Sequence, residues 1–161
     1  MNTKELLKSI PPRKKAMAGA AAVLILLYVL LCGVISARQD AYAIRLSAEP
    51  AELTLAEDAQ ADVAVTIENH ANRMISSQND MRTYLVYRVF DASGAEVLTS
   101  GQVPIDPRIG SGRTGTVTAT VSSEGLGAGA YRVRFDLQDR EGFFSERSDS
   151  FAAAELPLVI R

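Results

Sequence analysis

From residue 43 onward, hydrophobic side chains recur at every second position, which is the period of β-strands whose two faces have different surroundings. The stretch YRVRFDL is the clearest case, because its four odd-numbered residues, from Tyr131 to Leu137, are all apolar. The same alternation predicts strands over 62–69 and 114–122, and further strands are predicted over 43–47, 52–55, 83–91, 96–100 and 155–161. Gly-rich turns at 110–115 and 125–129 separate some of them, and no helical pattern follows residue 37.

Short strands at this spacing predict an all-β fold, an immunoglobulin-like antiparallel β-sandwich over residues 43–161. Tyr131 opens the penultimate strand, where many sandwiches have a tyrosine corner whose hydroxyl bonds back to the backbone. One more core aromatic is the alternative interpretation of this residue. Cys32 is the only cysteine, so no intrachain disulfide can form and the sandwich must be held by its core.

A second feature precedes the strands, because residues 16–37 contain no charged side chain. As a helix this run is about 33 Å long, enough to cross a hydrocarbon layer of about 30 Å. The sequence therefore predicts a single transmembrane helix over 16–37. A cleavable signal peptide is the competing interpretation, but its apolar region is usually only about 7–15 residues long.

The charges flank this run unevenly. Residues 1–15 carry net charge +4, whereas residues 38–161 carry −6 with twelve arginines and no lysine. The basic block at 13–15 predicts that residues 1–15 are a cytoplasmic tail, by the positive-inside rule. After a linker at 38–42, the sandwich would lie outside the cytoplasm, on the bacterial cytoplasmic membrane. The acidic balance of the larger part argues against a nucleic-acid partner.

Three stretches of the strand region are similar to a family of bacterial extracytoplasmic β-sandwich modules that accompany glycosyltransferases and other cell-surface polysaccharide proteins. They are LVYRVFDASG (85–94), GQVPIDPRIGSG (101–112) and GAYRVRFDLQDREGFFSE (129–146). Two tryptophans of the family pattern are replaced here by Val89 and Phe143. The resemblance implies a non-catalytic module associated with surface glycans, and it does not identify a ligand.

Motifs for catalysis, metal binding or a cofactor are not found in the sequence, which predicts no enzyme activity. His70 is the only histidine, and the chain has only one cysteine, so the usual ligands of a zinc site are missing. An exposed loop residue is therefore the simpler interpretation of His70. The acids between Asp136 and Asp149 match only part of a calcium loop and are expected to be solvated. The loop at 70–82 either closes one end of the core or carries a function, and the sequence leaves both open.

Contact residues are predicted in two places. Phe143 and Phe144 are adjacent, so a regular strand would point Phe143 inward and Phe144 outward. Gly142 just before them permits a bulge, and one exposed ring beside Arg140 and Arg147 would form an anchor for a protein or glycan partner. In the apolar run, small residues at Ala16 and Ala20 and the hydroxyl of Tyr28 predict contact with another membrane helix.

These features predict a membrane-anchored, non-catalytic accessory or binding module of the bacterial envelope, linked to surface polysaccharide assembly. Its partners would be the lipid bilayer and either another membrane protein or a surface glycan. The alternative is a structural subunit that braces a larger membrane complex, and an envelope hydrolase is less favoured.

Overall fold

The computed structural model describes residues 23–31, 40–78, 80, 82–106 and 108–161. The chain divides into two compact units, Met1–Gln39 and Asp40–Arg161, which are treated separately below.

In the first unit, residues 23–31 are helical. All nine side chains are exposed, by between 56% for Val23 and Leu30 and 69% for Tyr28. Within the described residues, no helix has both the length and the apolar character needed to cross a membrane. The remainder of the predicted helix at 16–37, including Ala16 and Ala20, lies outside the described residues, as does the basic tail at 1–15.

The regular structure of the second unit is β-strand, as the sequence predicts. Among its described residues the one other regular element is a 3-10 turn, Phe144–Glu146. The strands are β1 (Ile44–Glu49), β2 (Leu53–Leu55), β3 (Gln60–Asn69), β4 (Tyr84–Phe90), β5 (Glu96–Thr99), β6 (Val103–Pro104), β7 (Arg113–Ser122), β8 (Gly129–Asp139), β9 (Gly142–Phe143) and β10 (Ala154–Ile160).

The strands form two sheets. The small sheet has the order β1-β3-β7, and the large sheet has the order β2-β10-β8-β4-β5, with β6 beside β4 and β9 beside β8. Every pair is antiparallel except β2 with β10, which run parallel. The all-β prediction is confirmed, and the two-sheet arrangement fits a sandwich. The two-residue strands β6 and β9 were not predicted, because they are too short to show a period.

The core lies between the sheets and consists of the apolar faces that the alternation predicts. Ile67 of the small sheet and Val133, Phe135 and Leu137 of the large sheet are fully buried. Burial of each such side chain contributes about 1.5–3 kcal/mol relative to exposure. Phe151 and Phe144 close the same cluster at the end where β1 begins.

Two tyrosines of the large sheet bond to backbone with their hydroxyls. Tyr131 donates to the carbonyl of Gly127, four residues upstream, at 2.9 Å. This is the bond of a tyrosine corner, so the first interpretation of Tyr131 is confirmed. Tyr87 points into the core, and its hydroxyl accepts a hydrogen bond from the amide of Ser122 on β7 at 3.1 Å. This bond joins the two sheets.

The loop at 70–82 contributes to the core in its described part. Ile75 is fully buried and forms an antiparallel bridge with Ile109. Asn69, itself buried, holds the loop by donating from its side-chain amide to the carbonyls of Arg73 and Ile109. Closure of the core is therefore one role of this loop, as one of the two interpretations had it.

Candidate functional site

The segment 139–149 turns back on β8 and separates its two adjacent aromatic rings. β9 pairs with the end of β8, with Phe143 opposite Gln138 and Gly142 opposite Asp139. Gly142 has φ of +117°, a conformation that residues with a Cβ rarely adopt. The 3-10 turn begins at Phe144, so the strand alternation ends between the two rings and they point to different surroundings.

Phe144 belongs to the core. Its side chain is fully buried and makes edge contacts with Tyr42, at 5.1 Å between centroids, and with Phe151, at 5.8 Å. The strand does not continue regularly, because the backbone breaks at Gly142, as its glycine permits. Phe144 therefore turns inward and Phe143 outward, the reverse of what an unbroken strand would give.

Phe143 lies on the outer face of the large sheet and is half-buried. The guanidinium carbon of Arg88 lies 4.0 Å from its ring centroid, so the ring covers this charge in a cation–π contact. Arg88 is on β4 and is only 5% exposed. The ring thus shields a charged residue that the strand pattern places on the outward face.

The charge of Arg88 is matched by acids on three sides. Asp136 of β8 lies 3.1 Å away, Glu146 2.7 Å and Glu96 3.6 Å, each measured from a terminal guanidinium nitrogen to a carboxylate oxygen. Asp136 is fully buried and also accepts hydrogen bonds from the hydroxyl and amide of Ser145. We call Arg88, Asp136, Phe143, Ser145 and Glu146 the outer-face cluster. The expectation that Asp136 is solvated is wrong, because the segment after Gly142 folds over it.

A second group of charges surrounds Phe144 and Tyr42 where β1 begins. Arg73 lies 4.9 Å from the Phe144 ring and 3.4 Å from Asp139, and Arg147 donates to the other oxygen of Asp139 at 2.6 Å. Arg147 also bonds to the Tyr42 hydroxyl and to Glu141. We call Tyr42, Arg73, Asp139, Phe144 and Arg147 the end cluster.

The four predicted contact residues therefore do not form one surface. Phe144 and Arg147 are in the end cluster, where Phe144 has no exposed area. Phe143 is in the outer-face cluster, and Arg140 lies exposed on the turn between β8 and β9. Arg140 thus presents most surface to a partner, Phe143 and Arg147 are each partly exposed, and Phe144 presents none. Of the three residues predicted to contact another membrane helix, Tyr28 lies exposed on the helical residues 23–31, and Ala16 and Ala20 lie outside the described residues.

Arg88 and Phe90 were not predicted as site residues, although the sequence carries a signal for them. Both occupy outward positions in the apolar run TYLVYRVFD, and each stands opposite an arginine of β8 in the sheet. Phe90 has three guanidinium groups around its ring, with carbon-to-centroid distances of 5.8 Å from Arg88, 5.6 Å from Arg132 and 5.7 Å from Arg134. A basic residue two positions before an aromatic one in a strand places both side chains on the same face, where they can stack.

Two shallow grooves flank the exposed part of this arginine row. One, of about 420 Å³, lies between the turn at 91–94 and residues Ala130–Arg132, and the other, of about 350 Å³, lies between Arg132 and Pro157. Arg132 is half exposed, and its Nε lies 3.6 Å from Glu155, which also binds Arg134 at 2.6 Å. The arrangement provides hydrogen-bond donors and an aromatic surface for a polar ligand.

Few side chains in the described part of the chain are arranged for chemistry beyond binding. No three His, Cys, Asp or Glu side chains lie together there in a way that could hold a metal ion. His70 is exposed and lies 3.5 Å from Glu68. The pKa of Asp91 is held below its ordinary value by hydrogen bonds from the Ser93 hydroxyl and the Ala95 amide, which close the turn after β4.

Comparison with known proteins gives distant structural similarity only. No protein-family model matches the chain, and no curated protein matches it. A CARDB domain from Pyrococcus furiosus, solved in complex with di-metal ions, has 12% identity and a TM-score of 0.43, with 73% of this chain and 91% of that chain covered.

Two larger proteins contain a part of similar shape. The alkylpurine DNA glycosylase AlkC of Pseudomonas fluorescens, bound to DNA with an abasic site analog, has 13% identity and a TM-score of 0.41 over 78% of this chain and 33% of that one. A β-glucosidase from Listeria innocua in complex with glucose has 14% identity and a TM-score of 0.43 over 72% and 16%. Similarity at this level does not bear on the function of this chain.

Proposed function

We propose that this chain is a membrane-anchored, non-catalytic accessory module of the bacterial envelope, with its sandwich outside the cytoplasm. The observation that carries the proposal is the run of helical residues 23–31, each apolar or aromatic and each more than half exposed. A helix that is hydrophobic on all sides is stable when it is buried in a protein core or in a lipid bilayer. The uncharged run at 16–37 around it and the basic residues at 13–15 favour the bilayer.

The sandwich is proposed to be of the immunoglobulin-like type. Two sheets with a tyrosine corner at the penultimate long strand support this assignment. The described residues of the sandwich include no cysteine, so the fold rests on its apolar core and on buried ion pairs such as Arg88 with Asp136.

The binding surface of the module is proposed to be the outer face of the large sheet, from Phe143 and Arg140 to Arg132. Exposed guanidinium groups and aromatic rings bind carboxylates, hydroxyls and sugar faces, which suits a surface glycan or a polar protein partner. The resemblance to modules of polysaccharide proteins favours a role in polysaccharide assembly. The alternative is a structural subunit that braces a membrane complex.

The anchoring is tested by labelling in spheroplasts. In a Cys32→Ala background of the full-length chain, a membrane-impermeant thiol reagent should modify Ala92→Cys, which is exposed on the β4–β5 turn. It should not modify Ser9→Cys in the basic tail until the membrane is permeabilised. Labelling of Ser9→Cys in intact spheroplasts, or loss of the chain from the membrane at high pH in carbonate, would contradict the proposal.

The role is tested with the full-length chain purified in mild detergent. Binding to acidic glycans on an array, reduced at least tenfold by Arg132→Ala and Phe143→Ala, would support the binding module. Arg45→Ala, on an exposed position of the small sheet, is the matched control. A membrane protein that copurifies in fixed stoichiometry, with no glycan binding, would favour the structural subunit instead.

A further inference from the structure

The outer edge of the small sheet is open along β7. This strand pairs only with β3 among the described residues, over ten consecutive residue pairs and without a register shift. An edge strand of this length has a row of backbone donors and acceptors that can pair with another strand.

The direction of these free groups follows from one hydrogen bond. The amide of Ser122 donates to the hydroxyl of Tyr87 and so points away from β3. In a regular antiparallel ladder, alternate residues point the same way. The N–H and C=O groups of the even-numbered residues therefore face the open side, and those residues are Thr114, Thr116, Thr118 and Thr120.

The other edges of the two sheets are protected, whereas no described segment pairs with the open side of β7. The backbone of β1 is bonded along its edge to residue Ala152, with Leu46 donating to it at 2.8 Å and Ile44 accepting from it at 2.9 Å. β2 has three residues, and β5 has four and meets a register shift in its pairing with β4. Short strands, bulges and covering segments are the usual protections of an edge.

We propose that β7 is a docking edge for a second copy of this chain, paired antiparallel with the same strand about a two-fold axis through Val117. With this register Thr116 faces Thr118 of the second copy, and Thr114 faces Thr120. All four hydrogen-bonded residue pairs between the two copies are then threonine pairs, which are favourable across strands. A two-fold axis requires the same surface on both copies, and this strand fits itself in this way.

The charges along this edge also favour a second copy. From Thr114 to Ser122 the strand carries no charged side chain, so two copies meet without repulsion. A groove of about 360 Å³ beside it, lined by Thr118, Thr120, Tyr87 and the segment 100–104, also carries no charge. The surface beside Thr118 and Thr120 is therefore uncharged on both sides of the groove.

The test uses cysteine cross-linking of the full-length chain in cells, in a Cys32→Ala background. Chains with Thr116→Cys and chains with Thr118→Cys, carrying different tags, are coexpressed and oxidised. Facing residues in a hydrogen-bonded pair have Cα atoms about 5.5 Å apart, within the range of a disulfide. We expect at least tenfold more mixed dimer than with Thr54→Cys, an exposed threonine of β2 in the other sheet.

A second variant removes the pairing without touching the ladder with β3. In Thr118→Pro the missing N–H is one that faces the open side, so the sandwich should fold and self-association should fall at least tenfold. Thr118→Ser keeps the N–H and should associate like the parent. A parent chain that is monomeric by sedimentation, with mixed cross-links no more abundant than for Thr54→Cys, would overturn the proposal, whether or not Thr118→Pro folds. Cross-links from Thr118→Cys to another polypeptide alone would overturn it as well.

Discussion

Single residues in this sandwich have roles that depend on which side of a sheet the chain presents them to. Phe143 and Phe144 are neighbours in sequence, yet one packs on the Arg88 guanidinium and the other fills the core beside Tyr42. The first ring covers a buried ion pair, and the second closes the end of the core.

The two rings should therefore contribute differently to stability. Phe144→Ala leaves a cavity in the core and should reduce the free energy of unfolding by about 3–5 kcal/mol. Phe143→Ala removes a cation–π contact and should cost about 1–2 kcal/mol. Chemical denaturation of the two variants, followed by circular dichroism, measures both. Equal losses would show that Phe143 is as much a core residue as Phe144.

The pair of Arg88 and Asp136 should behave as a coupled unit. Removal of one partner leaves an unmatched buried charge, so Asp136→Asn or Arg88→Met alone should cost about 3–5 kcal/mol. The double variant should cost less than the sum of the two by at least about 1 kcal/mol, because it leaves neither charge without its partner. Arg134→Met, at a half-buried pair with Glu155, is the control and should cost under about 1 kcal/mol. Additive losses at Arg88 and Asp136 would contradict the coupling.

At the scale of elements, the order of strands along the chain was predictable and their local breaks were not. Alternation located β3, β7 and β8, because polar and apolar side chains alternate along these strands. β4 was located as an apolar run and is buried at five consecutive positions. The same period cannot show where it stops, and at Gly142 the sequence permitted a break without giving its direction. Burial of Asp136 depends on that break, so the outer-face cluster could not be predicted from local pattern.

The turn between β4 and β5 makes a pH-dependent contribution to the stability of the sandwich. Hydrogen bonds from Ser93 and Ala95 hold the pKa of Asp91 below its ordinary value, which favours the ionised form in the folded state. The resulting stabilisation of the fold is complete above the pKa that Asp91 has in the unfolded chain. It is lost as the pH falls through the lower pKa of Asp91 in the folded state. The difference in stability between the parent and Asp91→Asn should thus be larger at about pH 7 than at about pH 2.

Urea titrations at several pH values measure this difference. Ser93→Ala removes the largest cause of the lowered pKa and should reduce the pH dependence without removing the carboxylate. A difference between parent and Asp91→Asn that stays constant across this range would contradict the assignment.

At the scale of the whole molecule, one core joins both sheets, so the sandwich should unfold as a unit. Leu158 is fully buried in β10, between β2 and β8, and Leu158→Ala should cost about 2–5 kcal/mol. Val97→Ala, at a 44% exposed position of β5, should cost under about 1 kcal/mol. Tyrosine fluorescence and circular dichroism should give the same midpoint for each variant. Separate midpoints for the two signals would show that the sheets unfold independently.

Because β10 lies inside the large sheet, the sandwich can form only after this last strand has been synthesised. Although it is the last strand in sequence, it lies inside the sheet and is the strand with which β2, about a hundred residues earlier, is paired. During synthesis, β2 and the edge of β8 have no partner strand until β10 has been made. Contacts between residues so distant in sequence also form slowly. In the topology proposed above, with the sandwich outside the cytoplasm, this delay would keep the polypeptide unfolded while it crosses the membrane.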